Sequence, residues 1–363
     1  MNIQDTARTR SAYAIGQPVP RKEDATLLRG EGRYTDDINF PNQVHAYILR
    51  STIAHGRIRS INTDAAKRIK GVLGVYTGAD VAQYGTLQSA LPFKSKDGTD
   101  LKKPPRPALP TDKVRFVGDP IACVVAETLL QAKDAAEAIE LDIEPLPVMT
   151  TPQQATAPGA TALFDSVPGN ICLDFHFGEA DKVAAAFAAA KHKVKLKLVN
   201  TRMVVNTIEP RAAIGRYDKA GESYTLNTVS QGVMGMKAGI TAAMKTTPDK
   251  VHILTGNVGG SFGMKAQVYP EYICILHAAK ELGRPVKWTD ERSGSFMSDN
   301  HGRDHEMTAE LALDEEGHFL ALRLEGYANL GGFQGAMSPQ PGTLNIVRNV
   351  ISLYRTPVME VSS

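Results

Sequence analysis

Along this chain apolar residues alternate with polar ones in short runs, the period-two signature of strands with one face in a core. Residues 44–50, 71–77, 121–126, 140–144, 193–199, 223–228, 286–289 and the run from Val251 read this way, and Ile121-Ala-Cys-Val-Val-Ala126 is apolar throughout. Alanine-rich or helically spaced stretches predict helices over 65–69, 132–139, 179–192 and 234–245, and another in the apolar run closing with Lys280-Glu-Leu-Gly283. Two more alternating runs, 306–313 and 319–327, flank Asp314-Glu-Glu-Gly317 and so predict a hairpin. Residues 359–363 read as a further strand, and the hairpin is left without an evident sheet neighbour.

The stretches between are equally informative. Residues 84–110 are rich in Gly, Pro, Ser and Lys and have no period, which marks a long excursion loop. Pro145, Pro147, Pro152, Pro158 and Pro168 punctuate a stretch with few large apolar residues, the best linker in the chain. The expected organisation is an arm at 1–19, an α+β unit at 20–145, a linker at 146–170 and a second unit at 171–363. A chain of 363 residues has room for about two such cores.

Composition narrows the function classes. A net charge of +2 with scattered Lys and Arg leaves no basic footprint for nucleic acid or an anionic membrane. No run approaches the roughly twenty apolar residues of a membrane span, and residues 1–16 carry no apolar signal core. Cys123, Cys172 and Cys274 are far apart and sit in or beside apolar runs, so they read as reduced thiols of a cytoplasmic protein.

The chemistry concentrates where the strand from Val251 enters Gly256, Gly259, Gly260, Ser261, Phe262 and Gly263, followed by Tyr269-Pro-Glu271. A glycine-rich turn at a helix entrance leaves amides unpaired where the dipole favours negative charge, so it suits an anion such as a phosphate. A Walker loop is excluded because Met264 separates Gly263 from Lys265, and the glycine order does not give a Rossmann fingerprint. A plain turn without a ligand remains open. Among other candidates, His301 and His305 are interrupted by Gly302 and lack the glutamate of a zincin, so they read as solvated loop histidines. Asp290, Glu291, Asp299 and Asp304 beside Arg292 and Arg303 read as a solvated ion-pair surface. Glu209-Pro-Arg211 reads as a structural Arg–Glu clamp about a rigid proline.

The ordered motifs resemble one family over nearly the whole chain. They are Arg29-Gly-Glu-Gly-Arg-Tyr-Thr-Asp-Asp37, Val114-Arg-Phe-Val-Gly-Asp-Pro-Ile-Ala122, Glu144-Pro-Leu-Pro147, Glu209-Pro-Arg211, Ser230-Gln231, Gly259-Gly-Ser-Phe-Gly-Met-Lys265, Tyr269-Pro-Glu271 and Gly283-Arg-Pro-Val-Lys-Trp288. They are similar to the molybdopterin-binding large subunits of the xanthine dehydrogenase, aldehyde oxidase and aerobic carbon monoxide dehydrogenase family. The resemblance implies an α+β chain, with an N-terminal α/β hammerhead domain followed by an incomplete molybdopterin-binding domain. It implies a molybdenum hydroxylase subunit acting on an aldehyde, an N-heterocycle or carbon monoxide with water as oxygen source. The cofactor would be molybdopterin, as such or as a cytosine dinucleotide, with the metal held by the pterin dithiolene and not by protein side chains. FAD and [2Fe–2S] clusters would sit on partner subunits. Gln231 matches the glutamine that hydrogen-bonds the metal's apical oxo ligand, and Phe262 and Gly263 match the amides approaching the cofactor, with Gly259, Gly260 and Ser261 in the same turn.

Three departures qualify the match. Ser261 replaces a glycine, and a Cβ tolerates positive φ poorly, so the turn is expected to differ slightly. Ala266 stands where purine-oxidising members place a substrate-binding glutamate, which argues against xanthine. The chain stops after Leu353-Tyr-Arg-Thr-Pro357, before the segment expected to carry the catalytic glutamate, so no catalytic residue is assigned. The expected explanations are a truncated or frameshifted product, or half of a split subunit completed by a second polypeptide. A non-catalytic assembly module and, more remotely, a nucleotide-phosphate enzyme are the competing functional readings.

Overall fold

The computed structural model describes residues 18–363, so nearly all of the arm expected at 1–19 lies outside the described residues. The first part of the chain forms α1 (Asp24–Leu28), β1 (Val44–Arg50), β2 (Gly56–Asn62), α2 (Asp64–Lys67) and β3 (Val72–Tyr76). After the long loop come β4 (Lys113–Val114), β5 (Pro120–Ala126), α3 (Leu129–Glu137), β6 (Glu140–Pro145) and α4 (Pro152–Thr156). The next stretch holds β7 (His176–Gly178), α5 (Ala180–Ala189), β8 (His192–Asn200), β9 (Ala212–Asp218), β10 (Ser223–Thr228), α6 (Val233–Ala243) and β11 (Val251–Leu254). The remainder is α7 (Pro270–Leu282), β12 (Val286–Thr289), α8 (Arg292–Ser298), β13 (His305–Leu313), β14 (Phe319–Ala328), α9 (Leu344–Asn349) and β15 (Val358–Ser362). Among the described residues no helix is long and apolar enough to cross a membrane.

One mixed sheet takes strands from both sides of the proline-rich segment, in the order β11-β10-β9-β12-β1-β5-β3. Its seam is the parallel pairing of β1 with β12, Val44 opposite Val286. β5 is buried along its whole length because it has helices on both faces. Cys123 and Val125 enter the core around α7 and α6, whereas Ala122, Val124 and Ala126 meet the alanines of α3. That arrangement explains why its sequence is apolar throughout instead of alternating. Helix α3 starts at Thr128, whose side chain accepts from the Gln131 N–H in a capping box. Helix α7 starts with Pro270 and stops at Gly283, whose φ of 62° suits the left-handed turn that ends a helix.

The hairpin β13–β14, expected to lack neighbours, is the centre of a second sheet ordered β7-β15-β14-β13-β8. Helix α5 covers one face through Val183 and Phe187, and α9 covers part of the other through Ile346 and Val347. The partners were hidden because β15 returns parallel to β14 and β8 pairs with β13 across a long sequence gap. A third sheet is β4-β2-β6. The segment expected as a linker is ordered: it contains α4 and buries Phe164 and Val167.

The expected solvated ion-pair surface is in part a buried network. Arg211, fully buried, donates to Asp299 Oδ1 at 2.5 Å, Glu271 Oε2 at 3.0 Å, Asp290 Oδ2 at 3.1 Å and Ser298 Oγ at 2.7 Å. Arg50, at the end of β1, donates to the other Glu271 oxygen at 2.8 Å. Burial alone would raise the Glu271 carboxyl, but Arg211 and Arg50 hold it down to about 2. Burial pushes Asp290 upward. Arg211 therefore does not clamp Glu209: its carboxylate partners come from the start of α7, the end of β12 and the end of α8.

Asp119, just before β5, offers a pH test. Burial pushes its carboxyl up to about 6, although the Arg115 N–H donates to it at 2.9 Å. A raised folded-state pKa means that the native state binds this proton more tightly than the unfolded chain does. The contribution is complete below pH about 4 and is lost as pH rises through about 6. The stability of the wild type minus that of Asp119→Asn, measured by urea titration, is therefore expected to fall over that interval; a constant difference would contradict the assignment.

Candidate functional site

The glycine turn is an exposed loop with a specified shape. Gly260 and Gly263 have φ of 104° and 91°, and between them Phe262 adopts φ of 49°. Positive φ is rare for a residue with a bulky side chain, and here it turns the Phe262 ring outward, 81% exposed. Ser261 does not carry the positive φ that the sequence led one to expect at that position. Its side chain has another task. Ser261 Oγ donates to Gln231 Oε1 at 2.7 Å and accepts from the Lys265 N–H at 3.2 Å.

Gln231 is the second half of the site. Its Oε1 accepts from both Ser261 Oγ and the Gly263 N–H, each at 2.7 Å. Those two bonds occupy the carbonyl end and fix the flip of the amide, leaving its –NH2 directed away from them. Among the described residues neither that –NH2 nor the Gly260, Ser261 and Phe262 N–H groups donates to any protein acceptor. Gln231 and the turn are thus brought together, and all six expected positions, Gln231, Gly259, Gly260, Ser261, Phe262 and Gly263, belong to one constellation.

What lies underneath explains the shape. The Gly259 N–H donates to Glu209 Oε2 at 2.7 Å, and a side chain at Gly259 would collide with the Glu209 Cβ. The buried Lys265 ammonium lies 2.7 Å from the Glu209 carbonyl and 3.4 Å from its carboxylate; burial lowers its pKa. Tyr269, stacked on the Arg211 guanidinium at 3.8 Å, donates through its hydroxyl to the Met264 carbonyl at 2.9 Å. Glu209-Pro-Arg211 therefore ties the turn at one end and the buried network at the other. The sequence motifs include Lys265 and Tyr269 but assign neither a role in supporting the turn, and they pair Glu209 with Arg211 instead of Lys265.

The turn does not open directly into a helix, as its sequence suggested. Helix α7 begins only at Pro270, after a short 3-10 turn at Met264–Ala266. Helical geometry is disfavoured for the residue before a proline, and Tyr269 is extended, so α7 begins only after it. The turn's own free amides are the donors, with no help from the α7 dipole.

The donor set fits a group rich in oxo or phosphate-type oxygens. It leaves N–H groups without a protein acceptor and keeps its one carboxylate, Glu209, beside the Lys265 ammonium. It offers no thiol or imidazole to a metal. His301 and His305 are half-buried and do not gather other ligands. A cavity of about 550 Å³ lies elsewhere, walled by residues such as Phe116, Ile171, His301, Tyr327 and Gln267 but by neither Gln231 nor any of 259–263.

Comparison with known proteins gives the family. Residues 163–363 match the molybdopterin cofactor-binding domain, and residues 29–147 match the a/b hammerhead domain of aldehyde oxidase and xanthine dehydrogenase. The 6-hydroxypseudooxynicotine dehydrogenase complex subunit gamma of Paenarthrobacter nicotinovorans is 33% identical over 96% of this chain and 43% of its own length. The carbon monoxide dehydrogenase large chain of Afipia carboxidovorans is 29% identical over 100% of this chain and 46% of its own. The crystal structure of quinoline 2-oxidoreductase from Pseudomonas putida 86 superposes with a TM-score of 0.87 at 28% identity, over 95% of this chain and 43% of that one. The chain thus spans less than half the length of these relatives. With a hammerhead domain, a molybdopterin cofactor-binding domain and this turn, the chain belongs to the xanthine dehydrogenase and aldehyde oxidase family of molybdopterin-binding proteins.

Proposed function

We propose that this chain contributes to the cofactor site of a cytoplasmic molybdenum hydroxylase, with residues 20–145 as the hammerhead unit and 171–363 belonging to the cofactor unit. The observation that carries the reading is the pair of bonds that locks Gln231 Oε1 and frees its –NH2 beside three unpaired amides. Gln231 then donates to an oxygen of the cofactor, while the Gly260, Ser261 and Phe262 amides neutralise its anionic face. The cofactor, molybdopterin or its cytosine dinucleotide form, supplies the oxidation chemistry. Phe262, standing exposed at the crest of the turn, shields one side of the reacting centre from water. Iron–sulfur and FAD-binding partner subunits carry the electrons away. Relatives named for nicotine-derived substrates and quinoline support an N-heterocycle or a related electron-poor carbon as substrate, and Ala266 removes the carboxylate that would hold a purine.

The test is molybdenum by mass spectrometry and pterin by fluorescence on the purified protein. About one equivalent of each is expected, and a protein that carries neither would favour a non-catalytic assembly module.

A further inference from the structure

The glycine turn is held at both ends. At its entry Glu209 bonds Gly259 twice: the Glu209 N–H donates to the Gly259 carbonyl at 3.2 Å, and the Gly259 N–H donates back to Glu209 Oε2 at 2.7 Å. Beyond its exit the backbone of Lys265 is bonded around Gln231. The Gln231 N–H donates to the Lys265 carbonyl at 3.3 Å, and the Lys265 N–H donates at 3.2 Å to Ser261 Oγ, which in turn grips Gln231 Oε1. The fully buried Lys265 side chain joins one end to the other: its ammonium donates to the Glu209 carbonyl at 2.7 Å and lies 3.4 Å from Oε2. Stability does not account for this pair. Desolvation cancels most of the attraction within a buried ion pair, and an apolar pair of similar size commonly serves a fold as well. Glu209 Oε1 is moreover buried with no partner among the described residues, a cost that packing alone gives no reason to keep.

We propose that Lys265 and Glu209 are positioning residues for the cofactor's oxygens, a bridge beneath the turn that fixes the spacing between the Gln231 –NH2 and the Gly260, Ser261 and Phe262 amides. The inference rests on the reading of this turn as the cofactor site. Donors aimed at a fixed set of oxygens must hold their places to within about 0.5 Å to act together. Here they lie on a backbone whose glycines at 259, 260 and 263 give it little stiffness of its own, so the spacing has to be imposed from outside the turn. The bridge imposes it. Each residue acts through the bonds it makes to Gly259, Ser261 and Gln231, not by contact with the reacting atoms.

The experiment compares two variants of the full protein with the wild type. Glu209→Gln keeps an oxygen for the Gly259 N–H and the Lys265 ammonium, so the bridge survives and pterin content is expected to stay within about twofold of wild type. Adding Lys265→Met removes the bridge without stranding a charge in the interior. The double variant is expected to lose about tenfold in cofactor affinity, while the melting temperature of the cofactor-free protein stays unchanged. Its residual molybdenum should give a broadened EPR signal, the mark of donors that no longer keep one arrangement. Wild-type pterin content with an unaltered EPR line in the double variant would overturn the bridge. So would a loss in Glu209→Gln equal to that in the double variant, which would assign the effect to charge. A fall in melting temperature large enough to explain the loss would leave the pair a structural role only and overturn it as well. A wild type without pterin would instead overturn the reading of the turn as the cofactor site.

Discussion

Replacing Arg211 with alanine is expected to destabilise the chain by about 3–5 kcal/mol, the usual result of deleting one partner from a buried ionic cluster. Three carboxylates, Glu271, Asp290 and Asp299, all contact this one guanidinium, and Glu271 has a second cation, Arg50, at 2.8 Å. Without it they must take up protons or draw water into the core. The denaturation midpoint in urea should fall sharply at pH 7 and less so at pH 4. The reason is that Glu271, held down to about 2 in the native state, contributes stability above pH about 4.5 that fades as pH falls toward 2. Arg211→Lys should recover only part of the loss, because an ammonium cannot reach Asp299, Glu271 and Asp290 at once. A midpoint unchanged in Arg211→Ala would show that the cluster is not an energetic anchor.

The second large effect concerns binding with the fold left intact. In Gln231→Glu the new carboxylate can still accept from Ser261 Oγ and the Gly263 N–H, the two bonds that fix the side chain. It has no N–H to give and adds a negative charge facing an anionic cofactor. Cofactor affinity of the enzyme is expected to drop about 10–100-fold, the range seen when a group orienting a metal site is removed. The melting temperature of the cofactor-free protein should not move. Equal pterin content in wild type and variant would remove Gln231 from the site.

Much of the architecture was legible because its signals are local. The alternation in 44–50, 223–228 and 286–289 returned as β1, β10 and β12, and two of the turn's glycines, Gly260 and Gly263, take positive φ, as does Phe262 between them. Strands β2 and β9 escaped notice for a physical reason. Gly56-Arg-Ile-Arg-Ser-Ile-Asn62 is mostly polar, and Ala212-Ala-Ile-Gly-Arg-Tyr-Asp218 opens with residues of low strand propensity; pairing with neighbours makes both into strands. The buried carboxylates were misread because Asp290 and Asp299 are neutralised by Arg211, 79 and 88 positions away respectively, while the arginines beside them in sequence play no part in the cluster. Resemblance to the family pointed to Gln231. It did not reveal that Ser261, a departure from the family's glycine, is what grips that side chain.

The seam between β1 and β12 has a consequence for how the protein is made. Until the ribosome has released residues up to Thr289, β1 has only β5 beside it and its other edge is open. The nascent chain must therefore carry an unsatisfied strand while more than two hundred further residues are added, and closing such a distant contact is slow. Yield in a heterologous host should accordingly respond more to chaperone supply and growth temperature than to gene dosage.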